Sequence, residues 1–131
     1  MNKKNINNIA NFAVKFSEEV ANKECLTVDD ISLNFNQFSV LVTSYAKKLK
    51  KLNLNKGDRV GILLFNSIEY LLLMYASMYA GFVPVNINAR YKAKELNYVL
   101  HDSKCKILFT SSQSDEVTNF SEIISSVYDS K

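Results

Sequence analysis

From Val60 to Val85 the sequence runs VGILLFNSIEYLLLMYASMYAGFVPV, an almost unbroken apolar stretch of membrane-spanning length. A single membrane helix would put Asn66, Ser67 and Glu69 together near its middle third, where polar and ionisable groups are expensive. A strand, a turn and a helix accommodate the same residues without that cost. Asn66 followed three residues later by Glu69 resembles a helix-starting box, and Gly81 falls where a glycine ends a helix. The stretch therefore predicts a strand RVGILLF, a helix over about 67–80 and a short strand VPVN, with no transmembrane segment.

The alternation continues downstream with a helix over about 92–103 and a strand KILFT, so the order is β-α-β-α-β. Strands separated by helices at this spacing imply a parallel sheet covered by helices and joined by right-handed crossovers. Upstream, Phe38, Leu41, Val42, Tyr45, Ala46, Leu49 and Leu52 recur every three or four residues, which predicts a long helix with one apolar stripe. Before it, ECLTV and ISLNF flank Asp29 and Asp30 and predict an antiparallel hairpin. Ile9, Phe12, Ala13, Phe16 and Val20 predict an amphipathic helix over about 6–22. From about Ser111 the tail reads as a loop and a weak final helix. The expected fold class is α/β: a parallel β-α-β-α-β sheet with covering helices, plus an N-terminal helix and a β-hairpin.

Composition narrows the function. A chain of 131 residues supports one core, and 47% hydrophobic with 22% charged residues is globular. A net charge of +3 is too small to mark a nucleic-acid binder. Lys47, Lys48, Lys50 and Lys51 lie off the apolar stripe near a helix C-terminus, where positive charge is favourable, and read as a solvated face. Cys25 and Cys105 lie far apart without metal-ligand spacing, so neither a zinc site nor a disulfide framework is signalled. The opening MNKKNINNIANF has no apolar core of a secretory signal, and a cytoplasmic location is expected.

Phosphate chemistry has no cradle here. The three glycines, Gly57, Gly61 and Gly81, can be arranged neither as GxGxxG nor as GxxxxGK[ST]. His101 has no nucleophile motif to serve and reads as a surface or capping group at a helix end. No catalytic residue and no metal ligand is expected in this chain.

One set of residues is informative as an ordered series. Phe35 at a helix start, Gly57 and Asp58 before a strand, Asn66 with Ser67 and Glu69, then Gly81, Pro84 and Asn86 occur in turn. Asn88, Arg90, Tyr91, Glu95, Leu96, Leu100, Asp102 and Ser103 follow. From about residue 9 to 112 the chain resembles the opening of the adenylate-forming superfamily, the AMP-dependent synthetases and ligases. NINARYKAKEL is closer to the acyl-CoA synthetase type than to peptide-synthetase adenylation domains.

The resemblance implies that residues 1–131 are an N-terminal fragment of an AMP-binding (adenylation) domain, an incomplete part of a larger N-terminal domain. The intact enzyme would be an acid-CoA ligase acting on a carboxylic acid with ATP, magnesium and CoA. The glycine-rich phosphate loop, the magnesium carboxylate, the ribose-binding aspartate and the C-terminal lysine of such enzymes have no counterpart here, and TSSQS at 110–114 lacks the glycine such a loop needs. The chain alone is therefore expected to be inactive and to hold none of these ligands strongly. Arg90 occupies the place of an arginine that in several relatives contacts a CoA phosphate, a task suited to a guanidinium fork.

A free-standing, non-catalytic α/β binding or interaction module is the alternative. A phosphoacceptor receiver domain fits the length, but the strand that should end in an aspartate ends in Asn66. The helix at 67–80 is apolar nearly all round, which implies burial on more than one side. A fragment carrying it is expected to leave apolar surface and a strand edge bare, and to self-associate.

Overall fold

Asn34 joins the hairpin to the longest helix by satisfying both ends of a helix-start box. Its Oδ1 accepts from the Gln37 backbone N–H (2.8 Å), and Gln37 Oε1 accepts from the Asn34 N–H (2.9 Å). The computed structural model describes residues 8–111 and 119–128. Its elements are α1 (Glu18–Ala21), β1 (Glu24–Val28), β2 (Ile31–Asn34), α2 (Phe35–Leu49), β3 (Arg59–Leu63), α3 (Ile68–Ala80), β4 (Val83–Asn86), α4 (Ala93–Ser103), β5 (Ile107–Thr110) and α5 (Phe120–Tyr128).

Strands β1 and β2 pair antiparallel, and Asp29 turns the chain between them at φ 51°. The main sheet is all parallel in the order β4-β3-β5, so β3 is the centre although it comes first in sequence. Alternation along β3 sorts its side chains between two layers. Val60 and Ile62 pack with Ala46 and Leu49 of α2 and Leu73 and Ala76 of α3. Leu63 faces the other way, into Leu96 of α4 and Phe120 and Val127 of α5. The result is three layers: α2 and α3, the sheet, then α4 and α5. A third cluster ties Phe38 and Val42 of α2 to Leu72 of α3 and to Ala13.

The membrane-length stretch is thus β3, α3 and β4, and among the described residues no helix is long and apolar enough to cross a membrane. Gly81 ends α3 at φ 94°, as its position predicts.

Two sequence expectations are corrected. The helix expected over 6–22 is a short 3-10 helix, Ile9–Ala13, and the single-turn α1, separated by Val14–Ser17, while residues 6 and 7 lie outside the described residues. Asn8 Oδ1 caps the first piece through the Ala10 N–H (2.9 Å), and Asn8 Nδ2 donates to the Met78 carbonyl of α3. The Phe16 ring packs on Phe35 at 5.6 Å, so it leaves the stripe that Ile9 and Phe12 would form with it. The start of α3 is the second correction. Ser67, not Asn66, is its cap: Ser67 Oγ accepts from the Tyr70 N–H (3.1 Å), and Asn66 stays exposed. Of the expected tail, residues 112–118 lie outside the described residues, and α5 is the final helix.

Candidate functional site at the carboxyl edge of the sheet

In a parallel sheet covered on both faces, a crevice opens where the chains leaving adjacent strands turn to opposite faces. Here β3 leads to α3 on one face, whereas β4 and β5 are followed by α4 and α5 on the other. Both flanks of β3 therefore carry such a crevice, and two clefts occupy them.

The cleft between the ends of β3 and β5, about 630 Å³, is lined mainly by apolar and aromatic groups, among them Tyr45, Leu49, Leu64, Phe65 and Phe109. Ser67, Glu69, Thr110 and Lys48 add polar groups, and the Lys48 ammonium sits 5.4 Å from the centre of the Tyr45 ring. The cleft between the ends of β3 and β4, about 590 Å³, is the more polar one, with Asn66, Asn86, Asn88 and Arg90 around Phe65 and Tyr70. Asn88 Oδ1 accepts from the Arg90 backbone N–H (2.9 Å), which shapes the turn leading to α4. Arg90 itself is exposed, and no described carboxylate pairs with it. Glu95 Oε2 accepts from the Lys92 N–H (3.2 Å), and this fixes the start of α4 just beyond.

Two described groups with shifted titration, Glu24 and Cys25, lie on the hairpin. The Ser32 hydroxyl donates to Glu24 Oε2 (2.7 Å) and, with Thr27, holds that carboxyl below its ordinary value. Burial first, and the Glu24 charge to a lesser extent, pushes the Cys25 thiol up against the opposing pull of a backbone hydrogen bond.

His101 is exposed in the last turn of α4, and Lys47, Lys48, Lys50 and Lys51 are exposed around the end of α2. Among the described residues no group of three His, Cys, Asp or Glu side chains could hold a metal, and both cysteines are free. The fold brings Arg90 together with Asn66, Asn86 and Asn88, whereas Lys48 and Glu69 stand at the other cleft. Sequence reasoning had singled out Arg90 but had not gathered Phe109, Thr110 and Tyr70 around clefts. The available signal was topological: the residue after each parallel strand lies on this edge.

The comparisons with known proteins bear on the same region. The family model for AMP-binding enzyme matches residues 13–130. The rat (Rattus norvegicus) medium-chain acyl-CoA ligase ACSF2, mitochondrial, is 37% identical over 92 residues, which are 69% of this chain and 15% of that protein. The long-chain-fatty-acid–CoA ligase FadD13 of Mycobacterium tuberculosis (strain ATCC 25618 / H37Rv) is 37% identical over 79 residues, 60% of this chain and 16% of its own length. Among solved structures, an anthranilate CoA ligase, AuaEII, in complex with anthranoyl-AMP superposes with a TM-score of 0.81 at 25% identity, covering 93% of this chain and 22% of that one. The chain thus spans about 15% of the length of the curated relatives it matches.

Proposed function

The chain belongs to the AMP-binding enzyme family, and from that premise we propose that it is the N-terminal part of the adenylation domain of an acid-CoA ligase. The intact enzyme joins a carboxylic acid to CoA in two steps. A carboxylate oxygen attacks the α-phosphorus of ATP and expels pyrophosphate, and the CoA thiol then attacks the acyl carbon and expels AMP. The observation that carries this reading is the match to a medium-chain acyl-CoA ligase across 69% of the chain, at 37% identity.

ATP and magnesium meet no complete site on these residues. The described residues offer neither a metal-binding cluster nor a glycine-rich anion loop, so the groups that would hold ATP and magnesium belong to the rest of the intact protein. CoA is different. Arg90 is an exposed guanidinium at the mouth of a polar crevice, a geometry suited to gripping a phosphate of the CoA nucleotide. The 131-residue chain alone is inactive and self-associates through surface that the rest of the domain would cover. The intact enzyme acts in the cytoplasm, and it needs no nucleic-acid partner.

The test is acid-dependent exchange of labelled pyrophosphate into ATP by the intact protein, run over aliphatic and aromatic carboxylic acids of graded size. Exchange with at least one acid, followed by thioester formation when CoA is added, is the expected result. An intact protein that exchanges with none of them, although folded, overturns the reading.

A further inference from the structure

Asn86, Asn88 and Arg90 stand exposed at alternate positions from the end of β4, while Ile87 and Ala89 between them are buried in the cluster of Leu63, Leu96 and Phe120. The chain keeps its ladder for one residue beyond the strand, where the Ile87 N–H donates to the Ile62 carbonyl (3.0 Å), and then it turns. Asn88 makes both hydrogen bonds of that turn. Its carbonyl accepts from the Tyr91 N–H (3.0 Å), which closes the turn, and its Oδ1 accepts from the Arg90 N–H (2.9 Å) inside it. Asparagine is favoured at the first position of such a turn because its side chain can take that inner N–H, which an apolar side chain cannot do.

The consequence falls on Arg90. Its guanidinium lies at the mouth of the polar crevice, and no described carboxylate holds it there. The reach of so long a side chain is therefore set by where the turn places its backbone. Burial of Ala89 pins one side of the turn, and Asn88 Oδ1 pins it from within. Without that oxygen the Arg90 N–H loses its protein partner and a single hydrogen bond closes the turn. A backbone that must be ordered again when a ligand arrives takes that cost out of the binding free energy.

Resting on the reading that Arg90 takes a phosphate of CoA, we propose that Asn88 is the positioning residue for that contact, its side-chain oxygen fixing the turn that presents the guanidinium to the crevice. Asn88 acts through Arg90 and needs no contact of its own with CoA. The ordering of the arginine is completed when the chain folds, before the nucleotide arrives.

The KM for CoA in thioester formation by the intact protein, measured with an acid that supports pyrophosphate exchange, tests this on Asn88→Ala, Asn88→Ser, Arg90→Ala and the double variant Asn88→Ala with Arg90→Ala. Asn88→Ala should raise it roughly three- to tenfold. Asn88→Ser, whose hydroxyl can still accept from the Arg90 N–H, should stay nearer the wild-type value. In the Arg90→Ala background, adding Asn88→Ala should change it by less than about twofold, because a residue that acts through another then has nothing to act on. A readout independent of activity is hydrogen exchange of the Arg90 amide, which should be roughly fivefold faster in Asn88→Ala. An unchanged KM or an unchanged amide rate in Asn88→Ala, a serine variant no better than the alanine one, or an equal rise in both backgrounds overturns the proposal. Failure of the underlying reading shows elsewhere. A folded wild-type protein that exchanges pyrophosphate with no acid removes the ligase, and an unchanged KM in Arg90→Ala removes the arginine from CoA; in either case the proposal falls with its premise.

Discussion

Gly61 of β3 lies opposite Leu108 of β5 in the parallel register, and a Cβ built on Gly61 would stand 2.9 Å from Leu108 Cδ1. The same Cβ would meet Cys105 Sγ and Ile87 Cδ1, each at 3.3 Å, so three side chains converge on the space that the missing methyl leaves. Gly61→Ala gains about 0.4–1 kcal/mol by restricting the unfolded chain. Overpacking outweighs that gain, and a net loss of about 1–2 kcal/mol is expected in a denaturant titration. Shortening the neighbour should relieve it: Gly61→Ala combined with Leu108→Ala should lose less than the sum of the single losses, by about 0.5 kcal/mol or more.

Ser77 of α3 is fully buried, and its hydroxyl has no hydrogen-bond partner among the described residues. Burying an unsatisfied hydroxyl is unfavourable, and alanine is the better helix former. Ser77→Ala should raise stability by about 0.5–1.5 kcal/mol, seen as a higher denaturation midpoint at unchanged slope. A lower midpoint would show that the hydroxyl has a partner in solution.

Burial raises the pKa of the Cys25 thiol above its ordinary value. The fold therefore favours the protonated form, and its contribution to stability is complete below the unfolded thiol's value and is lost as pH rises through the higher folded one. Since the thiolate is the nucleophile, iodoacetamide should modify Cys25 more slowly in the native chain than in denaturant at the same pH, with the native rate rising at higher pH. Peptide mass spectrometry over a pH series checks this. A native rate equal to the denatured one would contradict it.

The strands and helices from Arg59 to Thr110 were legible because each is short, strongly apolar and closed by a turn residue the pattern marks, such as Gly57 before β3 or Gly81 after α3. The region before the hairpin was not. Ile9, Phe12, Ala13 and Phe16 keep a helical spacing, yet Ala13 is buried against α2 and α3 while Ile9 and Phe12 stay 64% and 67% exposed. Local capping by Asn8 and the attraction of Phe16 to Phe35 outweighed the period, and neither is visible in spacing alone. At the candidate site, Arg90 was found by resemblance. Its convergence with Asn66 and Asn86, some 24 and 4 residues upstream, exists only because β3 and β4 end side by side.

In the intact enzyme, Arg90→Ala is expected to weaken CoA use by roughly ten- to a hundredfold, the effect of losing one charge-assisted bond of about 1.5–3 kcal/mol. Formation of the acyl-adenylate should be nearly unchanged. Steady-state kinetics of the thioester step, set beside pyrophosphate exchange, separates the two half-reactions. An unchanged KM for CoA, or an equal loss in exchange, would remove Arg90 from the CoA site.

The 131-residue chain by itself should exchange no pyrophosphate into ATP with any carboxylic acid. Positioned phosphate donors and a bound metal supply most of the stabilisation in such transfers, and the described residues contain no metal cluster. Measurable exchange from homogeneous chain would show a nucleotide site within it. Sedimentation over a concentration series, with a dye that reports apolar surface, checks the expected self-association, and a dye-silent monomer at high concentration would favour the free-standing module.

Gly57 and Gly81, both with left-handed backbone, are joined by a hydrogen bond from the Gly57 N–H to the Gly81 carbonyl (2.9 Å). That bond sits just before β3 and just before β4, and Arg59 is paired with Val83 immediately beyond it. During synthesis on the ribosome, β3, α3 and β4 emerge together and can set their register before β5 or anything after it has been translated. The sheet would then grow from its middle, with the β3-α3-β4 crossover closed by two glycines and β5 added to a template already aligned.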